Sequence, residues 1–286
     1  METGREIRIF KRHTERVNSV AITGKILVSG ASDTTIKLWD MEKGREISTL
    51  KGHNRTVSSV SVTGKAIISG SFDRTIKVWD IESGKEIRTL KGHTSWVNCV
   101  ALQDKRIVSG ADDGTIKIWE MESGKEIHSF MGHDGKVNSI SVEKKFIVSG
   151  ASDRTVKLWD MENLKEVFLF IGHTKAINCV AIKGDNIISG SNDKTIKLWN
   201  VETDKEIRTF NGHDGAVNSV EIAGENILSC ANDNTIKLWD TETGKCLKTI
   251  KLPWIPLDIK CDPDNENLIV TANGNGTITF FDFKSV

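Results

Sequence analysis

A six-residue run, Thr35-Ile36-Lys37-Leu38-Trp39-Asp40, returns along this chain at a fixed step. It recurs with small changes around Trp79, Trp119, Trp159, Trp199 and Trp239, each 40 residues after the last. A seventh, altered copy, Thr277-Ile278-Thr279-Phe280-Phe281-Asp282, lies 42 residues further on. A period of this length denotes an array of small units, none able to cover its apolar faces alone, and it constrains the fold more than composition does.

One period reads as four short β runs, 17–22, 26–30, 35–40 and 45–50, separated by turn residues. No stretch keeps a helical period over three turns. A lone four-stranded sheet leaves two faces bare, and sheets ranged around an axis cover one another. The predicted fold class is therefore all-β: a seven-bladed β-propeller with four antiparallel strands per blade. The ends agree with this. Residues 4–10 align with 44–50, and 282–286 align with 40–44. The last blade is predicted to be closed by the N-terminal strand, residues 4–12 supplying the outer strand of the blade formed by 250–286, so that 1–286 is a single domain. Leu164 stands where Gly44, Gly84 and Gly124 stand. Leucine tolerates positive φ poorly, so the turn at 162–164 is predicted to change type.

Lys plus Arg and Asp plus Glu both total 39. A neutral chain lacks the attraction to phosphates on which nucleic-acid binding relies. Basic residues such as Lys37, Lys51, Arg55 and Lys91 are read as balanced by the glutamates of the turns, Glu42, Glu82, Glu122, Glu162, Glu202 and Glu242. There is no apolar run long enough to span a membrane, and residues 1–6 carry no signal-peptide core. The five cysteines include no C-x-x-C pair. Cys99 and Cys179 take the place of Ser19, and Cys230 that of Gly30. This predicts a reduced, cytoplasmic protein without disulfides or zinc.

Each full repeat also carries a histidine near its start, a serine in its second run and an aspartate in the following turn. Together with Trp-Asp this pattern resembles the WD-repeat β-propellers along the whole chain. The resemblance implies a hydrogen-bonded structural tetrad in each blade, from Trp to Ser to His to Asp. By position these are His13, Ser29, Asp33 and Trp39; His53, Ser69, Asp73 and Trp79; His93, Ser109, Asp113 and Trp119; His133, Ser149, Asp153 and Trp159; His173, Ser189, Asp193 and Trp199; and His213, Ser229, Asp233 and Trp239. The chemistry suits such a column. A buried indole N–H needs an acceptor, and a hydroxyl can accept from it while donating to imidazole. In the seventh repeat the aligned residues are Pro253, Thr271, Asn275 and Phe281, which make no tetrad. That blade is expected to be the least stable, with Trp254 plugging the space.

Ser, His and Asp recur together six times, always with a Trp, and there is no Gly-x-Ser-x-Gly elbow. A hydrolase needs one exposed, activated serine. Zinc needs ligands converging on one point, whereas one histidine per blade is spread around a ring. His128, the seventh, is read as solvated. No catalytic, cofactor or metal site is expected.

What remains is the variation between blades. In WD-repeat propellers the top face, which bears the loop after His and the turn before Asp, commonly binds partners. The third residue after His reads Arg16, Thr56, Trp96, Lys136, Ala176, Ala216. The fifth reads Asn18, Ser58, Asn98, Asn138, Asn178, Asn218, a ring expected to line the channel mouth and hold water. The residue before Asp reads Ser32, Phe72, Asp112, Ser152, Asn192, Asn232. Phe72 and Trp96 break these series and are the candidate partner-binding residues, with Arg16, Arg55, Asn98, Asp112 and Lys136 on the same face. The 40-residue step is similar to that of F-box adaptors that read phosphorylated segments, but those place arginines in mouth positions that here hold Asn, Ser, Phe and Asp. The expected function is a non-enzymatic protein–protein interaction scaffold, a monomeric propeller serving as a subunit or adaptor and binding other proteins or peptides, not nucleic acid or membrane. The alternatives are a purely structural subunit touching its neighbours through the disc edge or bottom, and an enzyme with a site at the channel mouth.

Overall fold

The computed structural model describes residues 5–283. They form seven antiparallel sheets of four strands. In the first complete blade the strands run from the axis outward as Val17–Thr23, Ile26–Ala31, Ile36–Asp40 and Arg45–Leu50. The last sheet is made from both ends: Pro256–Asp262, Asn265–Asn273 and Thr277–Asp282, with Arg5–Lys11 as its outer strand. Phe10 pairs with Ile278 and Arg5 with Asp282. The inner strands touch their neighbours in a closed circuit that includes Val17–Thr23 against Pro256–Asp262. Among the described residues there is no helix, and so none long and apolar enough to cross a membrane.

The core is not one mass but seven seams. At the seam between blades 1 and 2, Val28, Ile36, Leu38 and Leu50 meet Val57, Val60, Ile67 and Trp79. The closing seam joins Phe10, Val270, Ile278 and Phe280 to Val17, Leu27 and Trp39. There Phe10 stacks on Trp39 at 4.8 Å and meets the edge of Phe280 at 4.9 Å. Gly30 has a seam function: a Cβ there would lie 2.6 Å from Val57 Cγ1. Blade 6 has Cys230 in this place, fully buried, and its neighbour across the seam is the inner strand that starts at Pro256.

Two bulges per blade set what the sheets display. In the inner strand the pairing skips Asn18, between Val17 and Ser19, and in the outer strand it skips Ile47. A bulged residue is turned out of the ladder. Ile47 and its equivalents Ile87, Ile127, Ile207 and Leu247 are accordingly exposed along the rim.

Leu164 does not avoid the left-handed corner, although the backbone bond that Gly44 N–H gives Asp40 O (2.9 Å) has no counterpart there. It adopts φ 52°, and Asp204 in the next blade 54°, the left-handed corner that Gly44 takes at 66°. At Leu164 the corner is braced by the buried Asp160, whose carboxylate accepts the N–H groups of Glu162 (2.8 Å) and Asn163 (2.9 Å) and the Asn163 amide (3.0 Å). Against burial, those donors hold the Asp160 carboxyl at about 2. Glycine stands at three of these corners where an arginine arrives. Arg8, Arg88 and Arg208 reach over to backbone carbonyls of Met41, Glu122 and Glu242, and they pack on Gly44, Gly124 and Gly244. The residues 36 positions before Leu164 and Asp204 are His128 and Phe168, so no guanidinium needs the space. His128 itself is half-buried with its ring edge-on to Phe130 at 4.6 Å, rather than solvated.

Pro253 does not take the histidine's place in blade 7. The connection from Lys251 to Pro256 is one residue shorter than the one from Lys91 to Val97, and Pro253 is exposed. Leu252 is buried instead, in one cluster with Ile269, Phe281 and the half-buried Trp254. In five other blades a glycine precedes the histidine and lies against the tryptophan; a Cβ on Gly92 would sit 2.9 Å from Trp119 Cη2. Leucine at 252 fills the room that a six-membered indole ring would use, and phenylalanine at 281 is its complement. Thr271 Oγ1 and Trp254 Nε1 are left buried without a hydrogen-bond partner. The exchange is expected to be coupled. Phe281→Trp alone should lower stability by about 1–3 kcal/mol through overpacking. Combined with Leu252→Gly it should recover at least about 1 kcal/mol relative to the sum of the single effects, measured by urea unfolding. Strict additivity would refute the exchange.

Candidate functional site

The four motif side chains of each full repeat form one column. In blade 1 Trp39 Nε1 donates to Ser29 Oγ (2.9 Å), Ser29 Oγ donates to His13 Nε2 (2.7 Å), and His13 Nδ1 donates to Asp33 Oδ2 (2.8 Å). The columns built on Trp79, Trp119, Trp159, Trp199 and Trp239 repeat these bonds. One proton arrangement satisfies every atom: imidazole neutral with hydrogen on Nδ1, and aspartate ionised. The other carboxylate oxygen of Asp33 accepts the N–H and hydroxyl of Thr35, at 3.0 and 2.6 Å.

The titration shifts follow from this geometry. Burial raises Asp33, Asp73 and Asp113, and the bonds from histidine and threonine outweigh it, holding these carboxyls well below the usual range. Asp193 is held at about 2, its burial outweighed by the Thr195 hydroxyl and the Thr174 N–H. Burial lowers His133, His173 and His213, and their aspartates offset only part of it. Serine, histidine and aspartate are thus arranged as in a hydrolase triad, but all six serine side chains are fully buried and cannot meet a substrate. Both nitrogens of every tetrad histidine are occupied, which leaves none for a metal.

The channel is a cavity of about 580 Å³. The asparagines at its mouth hold the ring together rather than water alone. Asn18 Nδ2 donates to Val57 O of the next blade at 2.9 Å, and Asn98, Asn138, Asn178 and Asn218 donate likewise to Val137, Ile177, Val217 and Pro256. One position further, Ser19 accepts the N–H of Val60 in the next blade. In blade 7 this place belongs to Asp258. Its carboxylate accepts the Ser219 hydroxyl (2.8 Å) of blade 6 and the Val20 N–H (3.0 Å) of blade 1, bridging the closure. Lys260 pairs with Glu221 at 2.7 Å beside it. Burial alone would lower this lysine; Glu221 and Asp258 more than offset it and keep the ammonium charged. Sequence spacing missed these charges because the shortened loop moves blade 7 out of register with the other repeats.

The lysines of the repeated run are also not surface charge. Lys37 is nearly buried and pairs with Glu46 of the outer strand at 3.1 Å, while Glu42 pairs with Lys25. Lys77, Lys117, Lys157 and Lys197 pair in the same way. Cys246 stands where blade 6 would need the glutamate.

On the top face the residue before Asp in one blade meets the third residue after His in the next, 24 positions on. Phe72 stacks on Trp96 with ring centroids 4.5 Å apart and planes 14° apart. Asp112 pairs with Lys136, whose Nζ also lies 5.6 Å from the Trp96 ring centroid. Asn98 donates to Asp112 at 2.8 Å. Phe72, Trp96, Asp112, Asn98 and Lys136 therefore form one ridge across blades 2 to 4, with Trp96 40% exposed. Arg55 flanks the ridge in the groove beside Phe72. Arg16 is exposed on blade 1, which contributes no residue to the ridge.

The protonation states give a pH dependence. An unfolded chain takes up protons on His133, His173 and His213 near pH 6.5, where the folded chain does not, so stability falls as pH drops through that range. The depressed aspartates contribute fully above about pH 4, and that contribution is lost as pH falls further. The urea midpoint is expected to decline below about pH 6.5 and more steeply below about pH 4. A midpoint that rises on acidification from neutral pH would contradict the neutral-imidazole tetrad.

Two family models match the chain. The one described as WD domain, G-beta repeat covers residues 4–40, and the one described as IFT122 first beta-propeller covers residues 61–285. None of the curated proteins compared matches it. With seven four-stranded blades, six tetrads and a match over more than half its length, the chain belongs to the family of the IFT122 first beta-propeller, a WD-repeat β-propeller.

Proposed function

We propose that this chain is a non-enzymatic protein-interaction scaffold, a cytoplasmic subunit or adaptor that offers the ridge on blades 2 to 4 to partner polypeptides. WD-repeat propellers fit that use in general. The observation that carries the specific reading is the Phe72–Trp96 stack. It puts two large rings at the solvent boundary in positions where the other repeats carry small, polar or charged residues. Rigid aromatics with little rotamer freedom left to lose make good interface anchors. Against an enzyme reading, the tetrad serines are buried, and Asp258, Lys260 and Glu221 are engaged with one another or with neighbouring blades.

A second reading, contact through the disc edge, is favoured by a different observation. Met131 and Ile171 are 80% and 71% exposed where Lys91 and Lys251 stand in their blades, and Leu169 replaces Thr89 and Thr249. The two readings separate by mutation. Phe72→Ser with Trp96→Ser is expected to leave the chain folded, with about 0.5–1.5 kcal/mol of stability lost with the stack, and to abolish co-purification of partners from cells. Retained capture by that variant, with loss in Leu169→Thr/Ile171→Lys, would overturn the top-face reading in favour of the edge.

A further inference from the structure

Building on the top-face reading, we infer that the groove beside the aromatic stack takes an extended acidic segment of a partner polypeptide. An apolar side chain rests on the exposed edge of Trp96, and carboxylates meet Arg55 and Arg74. The groove holds about 450 Å³ and is lined by Asn54, Arg55, Phe72, Arg74, Thr94 and Trp96 among others. Arg55 and Arg74 are both exposed, and among the described residues neither guanidinium has an ion-pair or hydrogen-bond partner. The acidic side chain in the groove, Asp73, is committed: it bonds His53 at 2.7 Å and the Thr75 hydroxyl at 2.6 Å. Asp112, beyond Trp96, is taken by Lys136. The groove is therefore net positive, two guanidiniums against the one carboxylate of Asp73 whose oxygens are already engaged, although the chain as a whole is neutral.

Geometry and charge together select the ligand class. Two planar guanidiniums with free forks suit carboxylates, which they can engage bidentately. Two cations are too few for a nucleic-acid backbone, which is bound through a stripe of them. Trp96 is held by Phe72 and by its contact with Lys136, so the apolar anchor is fixed before a partner arrives and little ordering cost remains. Arg154 and Lys194 occupy the turn position of Arg74 in blades 4 and 5. No aromatic pair stands at their seams, where Ser152 and Asn192 face Ala176 and Ala216. They serve as controls of equal charge.

A randomised peptide library displayed on phage and selected on the folded full chain tests this. Enriched peptides are expected to pair acidic residues with an apolar one. Synthetic copies should bind at least tenfold more weakly to Arg55→Glu/Arg74→Glu and to Phe72→Ser/Trp96→Ser, lose affinity with added salt, and bind Arg154→Glu/Lys194→Glu as they bind wild type. Enrichment of neutral or basic peptides that still need Phe72 and Trp96 would overturn the acidic ligand and leave the top-face scaffold standing. Peptides indifferent to all four groove residues, or no enrichment, would remove both. Displacement of the peptides by a single-stranded oligonucleotide at equal concentration would replace the peptide reading with a nucleic-acid one.

Discussion

The structure depends on the seam between blades. Each four-stranded sheet has two apolar faces, and each is covered only by its neighbour, so a blade without both neighbours is a bare sheet. Seven seams must form or the ring has an open face. The tryptophan of one blade packs on the sheet of the blade before it, and the glycine after the tetrad serine lets the next blade's valine close to contact distance. The seam that decides closure is the one built from both chain ends, where Phe10 fits between Trp39 and Phe280. Removing a buried phenylalanine side chain costs about 3–5 kcal/mol, a large part of the stability of an ordinary domain. Around the seams run polar ties: asparagine to carbonyl at the mouth, serine to backbone N–H along the channel, arginine to carbonyl at the rim.

The most recurrent residues therefore say the least about function. Tetrad and seam residues repeat because each blade solves the same packing problem. Information about partners is carried by departures from the repeat. The ridge of Phe72, Trp96, Asp112 and Lys136 is one, and the apolar rim at Met131, Leu169 and Ile171 is another. Both lie on blades 2 to 4, none of which takes part in the closing seam. The closure itself is specialised differently, with Asp258 tying three blades together where the other repeats use Ser or Cys.

Much of this was legible in the sequence, because a strict 40-residue step turns alignment into geometry. The blade count, the strand order and the origin of the last outer strand follow from that step. The tetrad bonds lie between the residues that the family resemblance implies. What could not be read depended on side-chain direction. Asparagine at a bulge turns across the seam, so its amide finds a carbonyl and not just water. Lys37 reads as surface charge until the outer strand brings Glu46 against it. Leu164 reads as a turn-breaker because the donors gathered by Asp160 are invisible in a position-by-position comparison. Counting aligns Pro253 with the histidines, and a one-residue deletion in its loop defeats the count. The stacking of Phe72 on Trp96 had a usable signal, the offset of 24 that also joins Asp112 to Lys136, and that signal appears only when the two series are read across neighbouring blades.

If closure makes the seams one cooperative unit, damage at the closing seam must be felt on the far side of the ring. Native-state hydrogen exchange of wild type and Phe10→Ala, read at the inner strand Val137–Glu143 of blade 4, measures this directly. The account requires the opening free energy there to fall by about the full 3–5 kcal/mol of the cavity, as it does in the strands next to Phe10. Unchanged protection in blade 4, with faster exchange confined to Arg5–Lys11 and its partner strand, would contradict it.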